Sequence, residues 1–166
     1  MKLAGIVQDS VTDGPGLRFV VFTQGCNHHC EGCHNPNTWD IDKGKTWTTQ
    51  SLLTELDSNP LTKGVTISGG EPFLQAKALV EFAKAVKERK LELAIYSGYL
   101  FEEIIKDMEK VELLEQCDIL IDGPFIKAQR SLDLMFKGSK NQRIVDVKKS
   151  LESNKIVSVK NNRWTN

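Results

Sequence analysis

Four short apolar runs, each stopped by a glycine-bearing turn, constrain this chain more than any other feature. Leu17–Thr23 (LRFVVFT), Gly64–Ser68 (GVTIS), Leu91–Tyr96 and Asp118–Ile121 are rich in β-branched and aromatic residues and read as buried strands. They end at Gln24-Gly25, Gly69-Gly70-Glu71-Pro72, Ser97-Gly98-Tyr99 and Asp122-Gly123-Pro124. Helical patterns lie between them. Thr48 or Thr49 caps a helix to about Ser58 with Leu52, Leu53 and Leu56 on one face. Gln75–Lys90 places Ala78, Leu79, Phe82, Ala83 and Val86 at helical spacing, and Leu100–Cys117 reads as a third helix. Strands alternating with helices imply an α/β fold with a mainly parallel sheet and right-handed crossovers. At 166 residues the chain is too short for a closed eight-unit barrel of about 250 residues, so an open, partial (β/α) barrel is expected.

The remaining segments are less regular. Asp13-Gly14-Pro15-Gly16 is a turn before the first of these strands. Arg143–Val147 reads as a last strand, Lys148–Ser153 as a short helix and Ile156–Val159 as an edge strand, with a polar tail from about residue 160. No repeat or linker divides the sequence, so residues 1–166 are expected to form one domain.

Charge and composition exclude several classes. Lys plus Arg and Asp plus Glu both number 22, which leaves no basic field for direct nucleic-acid contact. Met1–Asp9 lacks the apolar core of a signal peptide, and no run is long enough to cross a bilayer. A cytoplasmic protein without membrane attachment is expected, and there cysteines serve metal chemistry more readily than disulfides.

Three of the four cysteines stand together. Gly25–Pro36, GCNHHCEGCHNP, spaces Cys26, Cys30 and Cys33 as CxxxCxxC just past a strand end, the edge where α/β proteins place their chemistry. Thiolates select zinc, copper(I) or an iron–sulfur cluster over hard cations. A four-iron cubane normally takes four cysteines, so three leave one iron open to a small molecule. A closed zinc site is the alternative, with His34, His28 or His29 as the fourth ligand. Three free thiols are a further alternative. Cys117 sits in an apolar helix-end context and reads as a core thiol.

The GGEP turn also has two readings. Gly69 and Gly70 allow close backbone approach to a ligand, and Glu71 can accept hydrogen bonds from an ammonium group. Alternatively, this is a tight turn in which Pro72 starts a helix and Glu71 favours its dipole. Ser97, Asp122 and Arg143 stand at other strand ends, where they could line the same pocket. For Asp122 a turn or capping role is equally open.

CxxxCxxC followed by GGEP resembles the radical S-adenosylmethionine enzymes. DGPGLRFVVFTQGCNHHCEGCHNP is similar to the activases that install a glycyl radical in a partner enzyme. YSGY (Tyr96–Tyr99), DILIDGPF (Asp118–Phe125) and FKGSKNQRIVDV (Phe136–Val147) resemble the branch that activates anaerobic, class III ribonucleoside-triphosphate reductases. The likeness runs from about Ile6 to Val147. It implies a [4Fe-4S] cluster on Cys26, Cys30 and Cys33 and S-adenosyl-L-methionine at the open iron. It further implies that Gly69, Gly70 and Glu71 hold the amino end of that cofactor. A low-potential one-electron donor and the reductase are the implied partners.

Two positions depart from the pattern. Gly32 stands where many radical S-adenosylmethionine enzymes have an aromatic residue beside the adenine, although this branch often has glycine there. Lys137 replaces the Arg of an FRGS-like segment, and lysine reproduces a bidentate contact poorly. Lys137, Lys140 and Arg143 could dock a partner or the cofactor, and Trp39 packs beneath the cysteine loop or faces that partner. The competing functions are activation of another glycyl-radical enzyme, such as pyruvate formate-lyase, and a non-catalytic electron-transfer or zinc module.

Overall fold

The computed structural model describes residues 1–161 and 163–165, so Asn162 and Asn166 of the expected tail lie outside the described residues. The strands are β1 (Lys2–Ser10), β2 (Arg18–Thr23), β3 (Lys45–Thr46), β4 (Gly64–Gly69), β5 (Glu92–Tyr96), β6 (Ile119–Asp122) and β7 (Arg143–Asp146). Together they make one sheet in the order β3-β1-β2-β4-β5-β6-β7. The four expected strands are its centre and run parallel, with Phe19 opposite Val65, Ile67 opposite Ile95 and Ile95 opposite Leu120. The edges differ from the expectation of a mainly parallel sheet. β1, β3 and β7 all pair antiparallel with their neighbours. The chain reaches β7 from β6 through an irregular segment with no crossover helix, so β7 returns in the opposite direction.

Side-chain alternation sorts the core onto two faces. Val65, Ile67, Leu93, Ile95 and Leu120 join the helix residues Leu52, Leu79, Phe82, Ala83, Val86 and Leu113 in the larger cluster. Ala94, Ile119, Ile121 and Ile144 face the other way and pack with Val159 and Trp164. Trp164, inside the expected polar tail, is fully buried. It lies against Phe136 and over the guanidinium of Arg18, with Arg18 Cζ 5.3 Å from the ring centre.

The helices are α1 (Thr49–Asp57), α2 (Ala76–Glu88), α3 (Phe101–Ile104), α4 (Met108–Leu114) and α5 (Val147–Ser153). Thr48, not Thr49, caps α1: its hydroxyl accepts from Ser51 N, and Ser51 Oγ accepts from Thr48 N. The helix expected over Leu100–Cys117 is broken into α3 and α4. The Asp107 carboxylate accepts from the backbone N–H groups of Glu109 and Lys110, which starts a new helix there. The expected edge strand Ile156–Val159 is reduced to the isolated bridge of Ser158 with Val145.

Candidate functional site

The site is built where the four parallel strands end. Gly25, at φ +103°, turns the chain out of β2 into the cysteine loop. Two ladder-like bonds hold the loop's return: Gly25 N donates to Thr38 O at 2.6 Å and Cys26 N to Trp39 O at 3.1 Å. The buried Gln24 amide donates to Asn37 O and Asp40 O. The GGEP turn is bound to the same loop, with Glu71 N donating to Gly25 O at 2.8 Å. A Cβ on Gly70 would lie 2.2 Å from Gly25 O, and one on Gly69 would lie 2.5 Å from Thr23 N. Both glycines are therefore demanded by the seam between GGEP and the cysteine loop. They also line the cavity beside it.

That cavity has a volume of about 820 Å³, within the range of pockets that bind small organic ligands. Cys26, Cys30, Cys33, Gly69, Gly70 and Ser97 all line it, and the three cysteines carry free thiols. Burial pushes the Cys26 thiol up, while the N–H groups of His28 and His29 pull the other way. Asn35 N donates to Cys33 Sγ at 3.3 Å. Backbone donors aimed at sulfur suit thiolates, so the donor set fits a soft iron–sulfur group. Among the described residues no three His, Cys, Asp or Glu side chains, the three cysteines included, converge as on a single metal ion. Each candidate histidine is engaged elsewhere: His28 with Glu71, His29 against Trp39 and His34 against Phe125.

Glu71 is fully buried and sits behind the cavity wall. Its Oε1 accepts from Phe73 N at 3.0 Å and Ser97 Oγ at 2.9 Å, and its Oε2 from Gly98 N and His28 Nε2, both at 2.8 Å. It caps the 3-10 turn Pro72–Gln75 and ties together three strand-end loops. Asp122 and Arg143 are set apart from the cavity lining. Arg143 Nε donates to Asp122 Oδ1 at 2.9 Å, its Nη groups grip Glu102, and Asp122 also accepts from Phe101 N. These bonds, to Asp122 first and Glu102 second, hold the Arg143 guanidinium well above its usual range. The pair fastens β6 to β7 and to the start of α3. In the structure the two are paired with each other, while Ser97, the third strand-end candidate, lines the cavity. Cys117 is buried, its Sγ donates to Ile119 O, and burial pushes its thiol up.

Several lining residues were not singled out in the sequence. The segment between β6 and β7 folds over the cavity and contributes Phe125, Leu132, Leu134 and Phe136, beside Lys137, which the sequence had offered as a docking residue. Its lack of periodicity hid this. A Cβ on Gly32 would lie 3.6 Å from the Phe125 ring, so an aromatic from this segment lies where the cysteine loop has none of its own.

Three cysteines in one loop above the carboxyl ends of parallel strands are a donor set that an α/β iron–sulfur protein would use. Residues 12–145 match the family described as a 4Fe-4S single cluster domain. The chain is 33% identical over 142 residues to the anaerobic ribonucleoside-triphosphate reductase-activating protein of Vibrio cholerae, covering 81% of this chain and 90% of that one. It is 34% identical over 139 residues to the protein of the same name from Enterobacteria phage T4, covering 80% and 85%. It is 39% identical over 142 residues to the pyruvate formate-lyase-activating enzyme of Listeria monocytogenes, covering 81% of this chain and 56% of that one. The chain belongs to the radical S-adenosylmethionine glycyl-radical activases, with a [4Fe-4S] cluster and S-adenosylmethionine as its cofactors. Among the described residues no helix is long and apolar enough to cross a membrane.

Proposed function

We propose that this chain activates an anaerobic ribonucleoside-triphosphate reductase, with Cys26, Cys30 and Cys33 holding the [4Fe-4S] cluster. The observation that carries this reading is that the three thiols and the GGEP turn meet at one cavity. A [4Fe-4S] cluster held there would supply the one electron for reductive cleavage of S-adenosylmethionine to methionine, and the 5′-deoxyadenosyl group would leave as 5′-deoxyadenosine with the α-hydrogen of one reductase glycine, which would keep a backbone radical.

The chain's own residues bind and shield. Gly69 and Gly70 keep the cavity floor close to the cysteine loop, and Glu71, held by Ser97 and Gly98, receives the cofactor's ammonium group. Asp122 and Arg143 position the strand ends around the cofactor. Phe125, Leu134 and Phe136 supply apolar cover that excludes water. Residues 1–166 act as one domain whose sheet curls as an open partial barrel, leaving room for a loop of the large partner. Lys137 at the cavity rim meets that partner or the cofactor. A low-potential one-electron donor in the cytoplasm reduces the cluster.

Activation of pyruvate formate-lyase is the second reading, favoured by the 39% identity to the Listeria enzyme. The extent of the match supports the reductase reading. The chain covers 90% of the reductase activase of Vibrio cholerae but only 56% of the Listeria enzyme. The test combines anaerobically reconstituted protein, a reductant, S-adenosylmethionine and the reductase. A glycyl-radical doublet in electron paramagnetic resonance is expected, with deuterium passing from an α-deuterated glycine into 5′-deoxyadenosine. No deuterium transfer to 5′-deoxyadenosine with a competent reductase would refute the assignment.

A further inference from the structure

We propose that His28 is a displaceable latch on Glu71, occupying the place the cofactor's ammonium group takes on binding. The inference rests on the proposed reading of Glu71 as the ammonium acceptor and adds how that acceptor is kept before the ligand arrives. A carboxylate offers about four acceptor sites, two on each oxygen. At Glu71 all four are filled by protein donors: Phe73 N, Ser97 Oγ, Gly98 N and His28 Nε2. An arriving ammonium must therefore displace one of them.

The four donors are not equally exchangeable. Phe73 N and Gly98 N are backbone groups fixed by the turns that carry them. Ser97 is buried, and its hydroxyl is further held by accepting from Tyr99 N at 3.0 Å. His28 alone is a side chain on a loop, 19% exposed and lining the cavity. Its ring is steered by packing and can leave by rotating its own torsions. It lies edge-on to Tyr99, 4.6 Å between ring centres, and fills the space left by the absent side chain of Gly98. A Cβ at Gly98 would come within 2.5 Å of the imidazole. A buried carboxylate left without its donors is costly, so a resident donor keeps Glu71 oriented in the empty site. Handing Oε2 from imidazole to ammonium keeps it satisfied throughout.

The test measures affinity of the cluster-loaded parent, His28→Ala, His28→Gln and Glu71→Gln for two ligands. S-adenosylmethionine carries the ammonium group, whereas 5′-methylthioadenosine lacks it. His28→Ala, with no latch to displace, is expected to bind S-adenosylmethionine about fivefold tighter, the worth of roughly one net hydrogen bond. His28→Gln, which restores a donor, is expected to return toward the parent. All His28 variants are expected to bind 5′-methylthioadenosine alike. His28→Asn, too short to reach Glu71, replaces the Ala variant should that variant lose iron. Unchanged or weaker S-adenosylmethionine binding in the latch-free variant overturns the latch. Should Glu71→Gln bind S-adenosylmethionine as the parent does, the ammonium reading of Glu71 itself fails; loss there without a gain at His28 sinks the latch alone.

Discussion

Replacing Glu92 by Ala strands a positive charge inside the sheet. Arg18 has no exposed surface, and its five N–H groups are all taken. Nε donates to Thr66 Oγ1 at 2.8 Å, Nη1 to Glu92 Oε1 at 3.0 Å and Pro15 O at 3.4 Å, and Nη2 to Val65 O at 2.8 Å and Glu92 O at 3.1 Å. Burial lowers the Arg18 pKa, and Glu92 is the first group that opposes this. Removing one partner of a buried pair costs about 3–5 kcal/mol. Glu92 is 23% exposed, so water reaches the gap and the low end, about 3 kcal/mol, applies. For a chain of this size that is a fall in Tm of about 6–12 °C. The assay is anaerobic thermal unfolding of the loaded protein, with Asp57→Ala as the control. Asp57 pairs with Arg89 at the surface, and its loss is expected to cost under about 1 kcal/mol. The double variant Arg18→Met with Glu92→Ala should lose less than the sum of the singles. A loss below about 1 kcal/mol in Glu92→Ala would show that Arg18 is compensated by its carbonyls and hydroxyl alone.

Alanine at Cys26, Cys30 or Cys33 should abolish bound iron and sulfide, whereas Cys117→Ala should retain both; iron analysis after anaerobic reconstitution decides. Cys117 also links stability to pH. Its thiol is held above its unfolded value by burial, so the unfolded chain releases that proton first. Stability should therefore fall as pH rises past about 8.5, by about 1.4 kcal/mol per unit from this group. Urea unfolding between pH 8 and 9.5 should show a shallower fall in Cys117→Ala, and equal slopes would refute the linkage. Arg143→Met should lower Tm by breaking the tie among Asp122, Glu102 and β7, with iron content unchanged; iron loss at full stability would instead return Arg143 to the cofactor site. Trp164→Ala removes a fully buried indole and should cost about 3–5 kcal/mol, measured by the same melts.

The central strands and α2 were legible because local pattern and tertiary environment agree: β-branched runs are buried on both faces, and the apolar stripe of α2 faces the sheet. The cysteine loop stood out because residue spacing within one loop is a local property. What escaped were choices made by partners distant in sequence. β7 was expected as a strand, but its antiparallel direction depends on how the irregular segment after Gly123 returns over the cavity. Trp164 sits in a polar stretch, and its burial is decided by Arg18 and Phe136 meeting there.

The same division runs through the site. Read alone, the sequence singles out three cysteines at fixed spacing, the GGEP carboxylate and the strand-end positions as candidates. Tertiary structure alone decided who satisfies whom. Asp122 and Arg143, 21 residues apart, neutralise each other and leave the cavity wall. Glu71 and His28, 43 residues apart, meet across two loops. Spacing along a chain fixes which groups can act together locally. The pairing of a buried charge is set by whichever donors the folded backbone brings within about 3 Å.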